Sequence, residues 1–387
     1  MKKLLFIILA SLAVTACKVD PKEELAGYYD CELSFPANAQ SHPKSLELQA
    51  ALEKQIERGF PGATMLVKSP EGLFMGAAGK ADIGLDVDME ICHKHLVASI
   101  SKVYTATVTY ALVDQGLLDL DKTAADYLDQ KWMSRLANAD IATLKHLLGH
   151  RSGIPDYLET AKFDLDMIND PYSDWDQEDQ IAYAFDVDAY FAPDAEYYYS
   201  NTNFVLLGMV AEKVSGKPLG QLYREYIFSK LDLKNSYYDA ENPIPPGTVK
   251  GYIDLFTNGN VIDNESIYQN ELHNGDGGIA TNTQDMMLFF EGLRSGKLLS
   301  EASYAQMTDW FPLDDWGDQI KNGYGLEYYD TPLGEAYGHT GGIYGFISIM
   351  LYIPERDMTF IIYLNAMAGT LAGAASDIID EMYEVVK

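Results

Sequence analysis

The stretch Ala63-Thr64-Met65-Leu66-Val67-Lys68-Ser69-Pro70-Glu71-Gly72-Leu73-Phe74-Met75-Gly76-Ala77-Ala78-Gly79 reads as a β-hairpin. Apolar residues fill both arms, and Pro70-Glu71-Gly72 supplies the turn. A second hairpin lies near the other end of the chain: Gly345 to Ile353, the turn Pro354-Glu355-Arg356-Asp357, then Met358 to Asn365. Helical patterns surround and separate the two. Leu46 to Arg58 carries Leu48, Ala51, Leu52 and Ile56 at helical spacing. Leu96 to about Leu118 reads as a long apolar helix ended near Gly116. From about 120 to 300 the pattern is mostly helical, with loops, as at Ile141 to Leu148 and Asn203 to Val214. A last helix is expected over about Leu371 to Val386. Strands at both ends with a helical middle predict an α+β fold. One antiparallel sheet is built from both chain ends and flanked by helices, with a helical subdomain inserted. The strand–helix alternation of a doubly wound fold is absent. The cleft between sheet and helical part is the natural place for a site.

Three short motifs fall at telling places in this plan: Ser99-Ile100-Ser101-Lys102 opens the apolar helix, Tyr199-Ser200-Asn201 lies in a loop of the helical region, and His339-Thr340-Gly341 enters the final hairpin. They are 100 and 140 residues apart. Each alone is weak. Ser-x-x-Lys recurs at Ser41-His42-Pro43-Lys44, and Tyr-x-Asn recurs at Tyr268 and Tyr363, in contexts that give it no meaning. Order and context make the case.

The chemistry has a physical logic. Ser99 and Lys102 are three residues apart, so in a first helical turn their side chains meet. A serine hydroxyl needs a base to become a nucleophile, and a lysine amine serves when burial and neighbours lower its pKa. Tyr199 can relay the proton to the leaving group. Asn201, His339 and Thr340 are candidates to bind substrate. The backbone N–H groups of Ser99 and Gly342 are candidates for an oxyanion hole. His150 and Ser152 are read as structural, because Lys102 already fills the base role.

On these motifs the chain resembles the penicillin-recognising serine hydrolases, and more closely the group holding class C β-lactamases, D-Ala-D-Ala carboxypeptidases, D-aminopeptidases and related esterases. Leu147-Leu148-Gly149-His150-Arg151-Ser152-Gly153-Ile154, Phe204 to Gly208 and Gly277-Gly278-Ile279-Ala280-Thr281 add to the resemblance, which runs from about residue 45 onward. It implies a β-lactamase/transpeptidase-like fold, an acyl-enzyme on Ser99, and deacylation with Lys102 and Tyr199. Two departures bear on substrate. Typical class C β-lactamases have Lys where this chain has His339. In the carboxypeptidases with His-Thr-Gly, a hydroxyl residue follows the glycine and an upstream Arg grips the substrate carboxylate. Here Gly342 follows, and Tyr324 to Asp330 contains no Arg. The resemblance puts a D-Ala-D-Ala carboxypeptidase-like or related D-peptidase first, a carboxylesterase second and a β-lactamase third. A non-catalytic binding or sensor lipoprotein is the reading from a different class, and the intact triplet of motifs argues against it.

Composition narrows the partners. The 387 residues carry 28 Lys and Arg against 58 Asp and Glu, a net charge of −30. Such a surface excludes a nucleic-acid binder. A hydrophobic content of 47% excludes disorder as the main state. Residues 159–199 hold twelve of the acidic side chains and one basic residue, Lys162; the segment is expected to be a solvated face, with a role as a negative cleft rim as the sharper alternative. No cofactor is called for. Asp164, Asp166 and Asp170 lack the glycine and terminal Glu of a calcium loop, and no His or Cys spacing suggests zinc, so no metal is expected.

The N-terminus reads as a processing signal. Lys2 and Lys3 precede an apolar run from Leu4 to Val14, too short to span a bilayer. Small residues before Cys17 resemble a bacterial lipobox, which makes 1–16 a signal peptide and Cys17 the lipidated mature terminus. Residues 17–42 are expected to be a tether, and 43–387 the catalytic domain. The expected location is the bacterial cell envelope, anchored to membrane through Cys17 on the periplasmic or outer-membrane side. Lys18 rather than Asp after the Cys points to outer-membrane sorting by resemblance to enterobacterial lipoproteins. Cys31 and Cys92 are able to pair in an oxidising compartment, but two unpaired thiols are the expectation, because Cys31 falls in the tether.

Overall fold

The computed structural model describes residues 27–34 and 42–368, apart from 171–174, 240–243, 257, 265–273 and 314–316, together with positions 378, 381 and 384–386. The expected signal peptide, Cys17 and most of the expected last helix lie outside the described residues.

Helix α1 (Ser45–Glu57) leads into β1 (Gly62–Ser69), β2 (Gly72–Asp82) and β3 (Val87–Asp88). β4 (His95–Leu96) precedes α2 (Ser101–Asp114). The helical part follows and includes α3 (Asn201–Ser215). Three short strands interrupt the middle: β5 (Tyr252–Asp254), β6 (Ile262–Asp263) and β7 (Ala280–Thr281). After α4 (Thr283–Arg294) come β8 (Phe311–Leu313), β9 (Gly317–Asn322), β10 (Glu327–Thr331), β11 (Gly334–Ile343), β12 (Phe346–Ile353), β13 (Met358–Leu364) and β14 (Ala366–Ala368).

The main sheet has nine strands in the order β3-β2-β1-β13-β12-β11-β10-β9-β8. Its pairings are antiparallel. The two ends of the chain meet at its centre, where β1 runs against β13 from Ala63↔Leu364 to Lys68↔Thr359. Both strands are buried nearly throughout, which explains their unbroken apolar runs. One face of the sheet is covered by α1 through Leu48 and Leu52, which pack with Met65, Val67 and Ile362. The other face carries the large core that includes Val103, Tyr104, Phe204, Phe289 and Phe290. Tyr104 stacks on Phe289 with ring centroids 3.7 Å apart.

Three sequence expectations need correction. The apolar helix begins at Ser101 rather than Leu96. Leu96 pairs with Ala280 in the β4–β7 ladder, and Ala98 takes φ +48°, a left-handed conformation that cannot continue an α-helix. The helix stops at Asp114, and Gly116 at φ +71° makes the turn beyond it. The expectation that all of 17–42 is a tether also needs correction, because residues 27–34 lie on the domain. Tyr29 Oη donates to Asp82 at 2.7 Å, and Ser34 Oγ donates to Asp285 at 2.5 Å. Cys31 and Cys92 form a disulfide, their Cα atoms 5.6 Å apart. This overturns the expectation of unpaired thiols: docking of the strap brings Cys31 to a partner 61 residues away. Asp164 and Asp166 sit on the helix Ala161–Asn169, and Asp166 pairs with Lys162 at 2.6 Å, an arrangement unlike a calcium loop.

Candidate active site

Ser99 lies in the 3-10 turn Ala98–Ile100, between the strained Ala98 and the start of α2. Three contacts hold this turn. Val97 N–H donates to the Ile279 carbonyl at 3.0 Å, Ser101 Oγ accepts from Ile279 N–H at 3.1 Å, and Ser348 Oγ donates to the Val97 carbonyl at 2.8 Å. β11 passes so close that a Cβ at Gly341 would stand 2.4 Å from the Val97 carbonyl oxygen. The glycine of the third motif is therefore a packing requirement that lets β11 reach Ser99.

Lys102 occupies the first turn of α2 and is fully buried. Its Nζ donates to Ser99 Oγ at 3.1 Å, to Asn201 Oδ1 at 2.8 Å and to the Asp276 carbonyl at 3.0 Å. The Asp276 carboxylate lies 3.9 Å away. Burial, partly offset by the charge of Lys102, pushes that carboxyl up to about 6. Asn201, expected to hold substrate, also positions the lysine: its Oδ1 accepts from Lys102 and its Nδ2 donates to Asp156 Oδ2 at 2.8 Å. Burial raises Asp156 as well. Sequence reasoning missed Asp276 and Asp156. The Gly277-Gly278 stretch that carried part of the resemblance adjoins Asp276, and was the available signal.

Tyr199 lies two residues before α3. Its ring stacks on His150, centroids 4.2 Å apart, and Lys102 Nζ stands 5.1 Å from its centroid. The hydroxyl is buried beside the Ser99 hydroxyl and makes no hydrogen bond of ordinary length among the described residues. Burial and then the charge of Glu327 raise this phenol well above its ordinary pKa, while the neighbouring Ser99 hydroxyl works the other way. Tyr199 is accordingly protonated at neutral pH. His150 accepts from the Ser200 N–H at 3.1 Å, and burial followed by Lys102 drives it well below 6.5. It is a neutral platform under Tyr199. Of the neighbouring tyrosines, Tyr198 is exposed and donates to Glu159.

His339, Thr340, Gly341 and Gly342 lie on β11. β12 covers one edge of this stretch, from Tyr337↔Tyr352 to Ile343↔Phe346. On the other edge β10 begins only at Glu327, opposite Gly338. Backbone groups beyond Gly338 are thus open toward Ser99. Thr340 N–H points to this open edge and is capped by Glu327 Oε2 at 3.1 Å. Alternation along the strand turns the Gly342 N–H the same way, and Gly342 is exposed. His339 is buried, with Nδ1 3.7 Å from Glu327 Oε2. Burial lowers its pKa despite the carboxylate beside it. Tyr329 Oη also donates to Glu327 Oε2. Glu327 was the third residue the sequence did not single out, although the stretch around it was noted for lacking an Arg.

The arrangement thus brings a serine hydroxyl, a buried amine, a protonated phenol and an open strand edge together. It suits attack on a carbonyl laid along β11 with proton transfer through Lys102 and Tyr199. The Beta-lactamase family model matches residues 48–381. Penicillin-binding protein 4* of Bacillus subtilis is 26% identical over 348 residues, covering 83% of this chain and 72% of that protein. A D-aminopeptidase of Cereibacter sphaeroides is 24% identical over 82% of this chain, which spans 59% of that relative's length. D-amino acid amidase from Ochrobactrum anthropi SV3, solved with D-phenylalanine, matches with a TM-score of 0.77 at 26% identity, covering 89% of this chain and 98% of that one. The family match takes in both hairpins and all three motifs, and the chain belongs to the Beta-lactamase family, as a serine hydrolase of the β-lactamase and penicillin-binding-protein kind.

Proposed function

We propose that the chain hydrolyses an amide bond following a D-amino acid residue, through an acyl-enzyme on Ser99. The observation that carries this reading is the Lys102 ammonium, held by Asn201 and the Asp276 carbonyl while it faces Ser99 Oγ at 3.1 Å. Once neutral, Lys102 takes the serine proton as Oγ bonds to the acyl carbon. The Ser99 and Gly342 N–H groups receive the developing oxyanion. Tyr199 donates its proton to the leaving nitrogen as the C–N bond breaks and is reprotonated from Lys102. Water then attacks the ester by the reverse relay and frees Ser99. The preference for a D-residue rests on the D-aminopeptidase and D-amino acid amidase among the similar proteins. A carboxylesterase of the same fold is the second reading, favoured by Gly342 where a carboxypeptidase has a hydroxyl. A β-lactamase ranks third, and a non-catalytic binding protein last.

The proposed setting is the cell envelope, with residues 1–16 removed and Cys17 lipidated. Incorporation of labelled palmitate that is lost in Cys17→Ala tests the anchor. The reaction is tested with the p-nitroanilides of D- and L-alanine, p-nitrophenyl acetate and a chromogenic cephalosporin. Ser99-dependent turnover of the D-anilide above the L-anilide supports the reading. Turnover of the acetate or the cephalosporin alone overturns it.

A further inference from the structure

Glu327 is a carboxylate at the entrance of the open β11 edge, on the stretch from Tyr324 to Asp330 that contains no Arg. Its Oε2 is held by Thr340 N–H and Tyr329 Oη, so the side chain has a fixed position. Its Oε1 takes no hydrogen bond among the described residues. The basic group that approaches it within 4.0 Å among those residues is His339, which burial keeps neutral. Glu327 therefore presents an unbalanced negative charge to whatever lies along β11. Gly342 lies two residues beyond Thr340, about 7 Å along a strand. That is the reach of one amino acid from the scissile carbonyl. The side is set by Tyr199, the proton donor to the leaving group. Burial first and then the Glu327 carboxylate raise the phenols of Tyr199 and Tyr197, both of which lie on the Glu327 side of the site.

We propose that Glu327 selects substrates whose leaving group carries a positive charge about one residue from the scissile bond, an ammonium or guanidinium in place of the terminal carboxylate. The inference rests on the acyl-transfer reading above and adds the class of leaving group. Other negative groups point the same way. Asp276 and Asp156 lie behind Lys102, and Glu159, held by the Tyr190 and Tyr198 hydroxyls, lies on the segment that runs into Tyr199. A carboxylate entering here meets repulsion, whereas a cation meets the free oxygen of Glu327.

The test uses three N-acetyl-D-alanyl thioesters, with thiocholine, 3-mercaptopropionate or propanethiol as leaving group, and follows thiol release. In each, Ser99 Oγ forms the bond to the acyl carbon and the C–S bond breaks. The departing sulfur takes the proton relayed from Ser99, and water completes hydrolysis. The wild-type chain is expected to show kcat/KM about tenfold or more higher for thiocholine than for mercaptopropionate, with the neutral thioester between them. Glu327→Gln is expected to bring the ratio toward one, and Glu327→Lys to invert it. Equal rates in the wild type, or a preference for the anion, overturn the proposal, as does a cation preference that survives Glu327→Gln. Fluorophosphonate labelling of Ser99 is read in the same samples. Labelling without charge preference defeats the role of Glu327 alone, and no labelling defeats the acyl-transfer reading beneath it.

Discussion

Lys102 Nζ lies 3.1 Å from Ser99 Oγ, and the pair sits where a strained residue, Ala98, turns the chain into a buried helix. The amine reaches the serine because both lie within one turn. It stays aimed because Asn201 and the Asp276 carbonyl take its other bonds. Replacing Lys102 by Met is expected to lower kcat by roughly 10²–10⁴. Lys102→Arg should not restore it, since a guanidinium does not give up its proton near neutral pH. Steady-state kinetics on one turned-over substrate checks both. An active Arg variant would remove Lys102 from the role of base.

Tyr199→Phe separates chemistry from stability. Among the described residues the hydroxyl makes no hydrogen bond of ordinary length, and the ring contact with His150 is kept. The melting temperature is expected to stay within about a degree or two of the wild type, while kcat falls roughly 10²-fold or more. A loss of stability with activity preserved would show the tyrosine to be a packing group.

Asp276 gives a pH signature. Its folded pKa of about 6 stands above the ordinary 3.8, chiefly because it is buried. The folded chain therefore holds an extra proton between about pH 4 and 6. The contribution of this group to stability declines as pH rises through that window, and its penalty is complete above it. Asp276→Asn removes the titration. Measured against the wild type by urea unfolding, the variant should gain relative stability from pH 4 to 7. A pH-independent difference would contradict the assignment.

The Cys31–Cys92 disulfide fastens the strap at 27–34 to the domain. Reduction or Cys92→Ser is expected to cost about 2–4 kcal/mol and to lower the melting temperature by several degrees. Thermal unfolding with and without a reductant measures this. No shift would mean that the hydrogen bonds of Tyr29 and Ser34 hold the strap alone.

The sequence disclosed the parts of the fold whose signals are local. The hairpins flanking Pro70-Glu71-Gly72 and Pro354-Glu355-Arg356-Asp357 stand as β1–β2 and β12–β13, and they pair with each other at the centre of the sheet. The two- and three-residue strands β4 to β7 were illegible, because their length carries no periodicity. In the site, the sequence singled out Ser99, Lys102 and Tyr199 by their order and residue type, and the structure brings them together. Asp276, Asp156 and Glu327 were not. Each is one carboxylate among 58, and its meaning comes from contacts such as Lys102 with Asp276, 174 residues apart. The disulfide was hidden for a related reason: nothing near Cys31 announces that its segment docks.

The central claim is that Ser99 is the nucleophile. Intact-mass and peptide analysis after treatment with a fluorophosphonate tests it most directly. One adduct on the peptide containing Ser99, absent in Ser99→Ala and much slowed in Lys102→Met, is the predicted result. No adduct, or an adduct that persists in Ser99→Ala, would contradict the account.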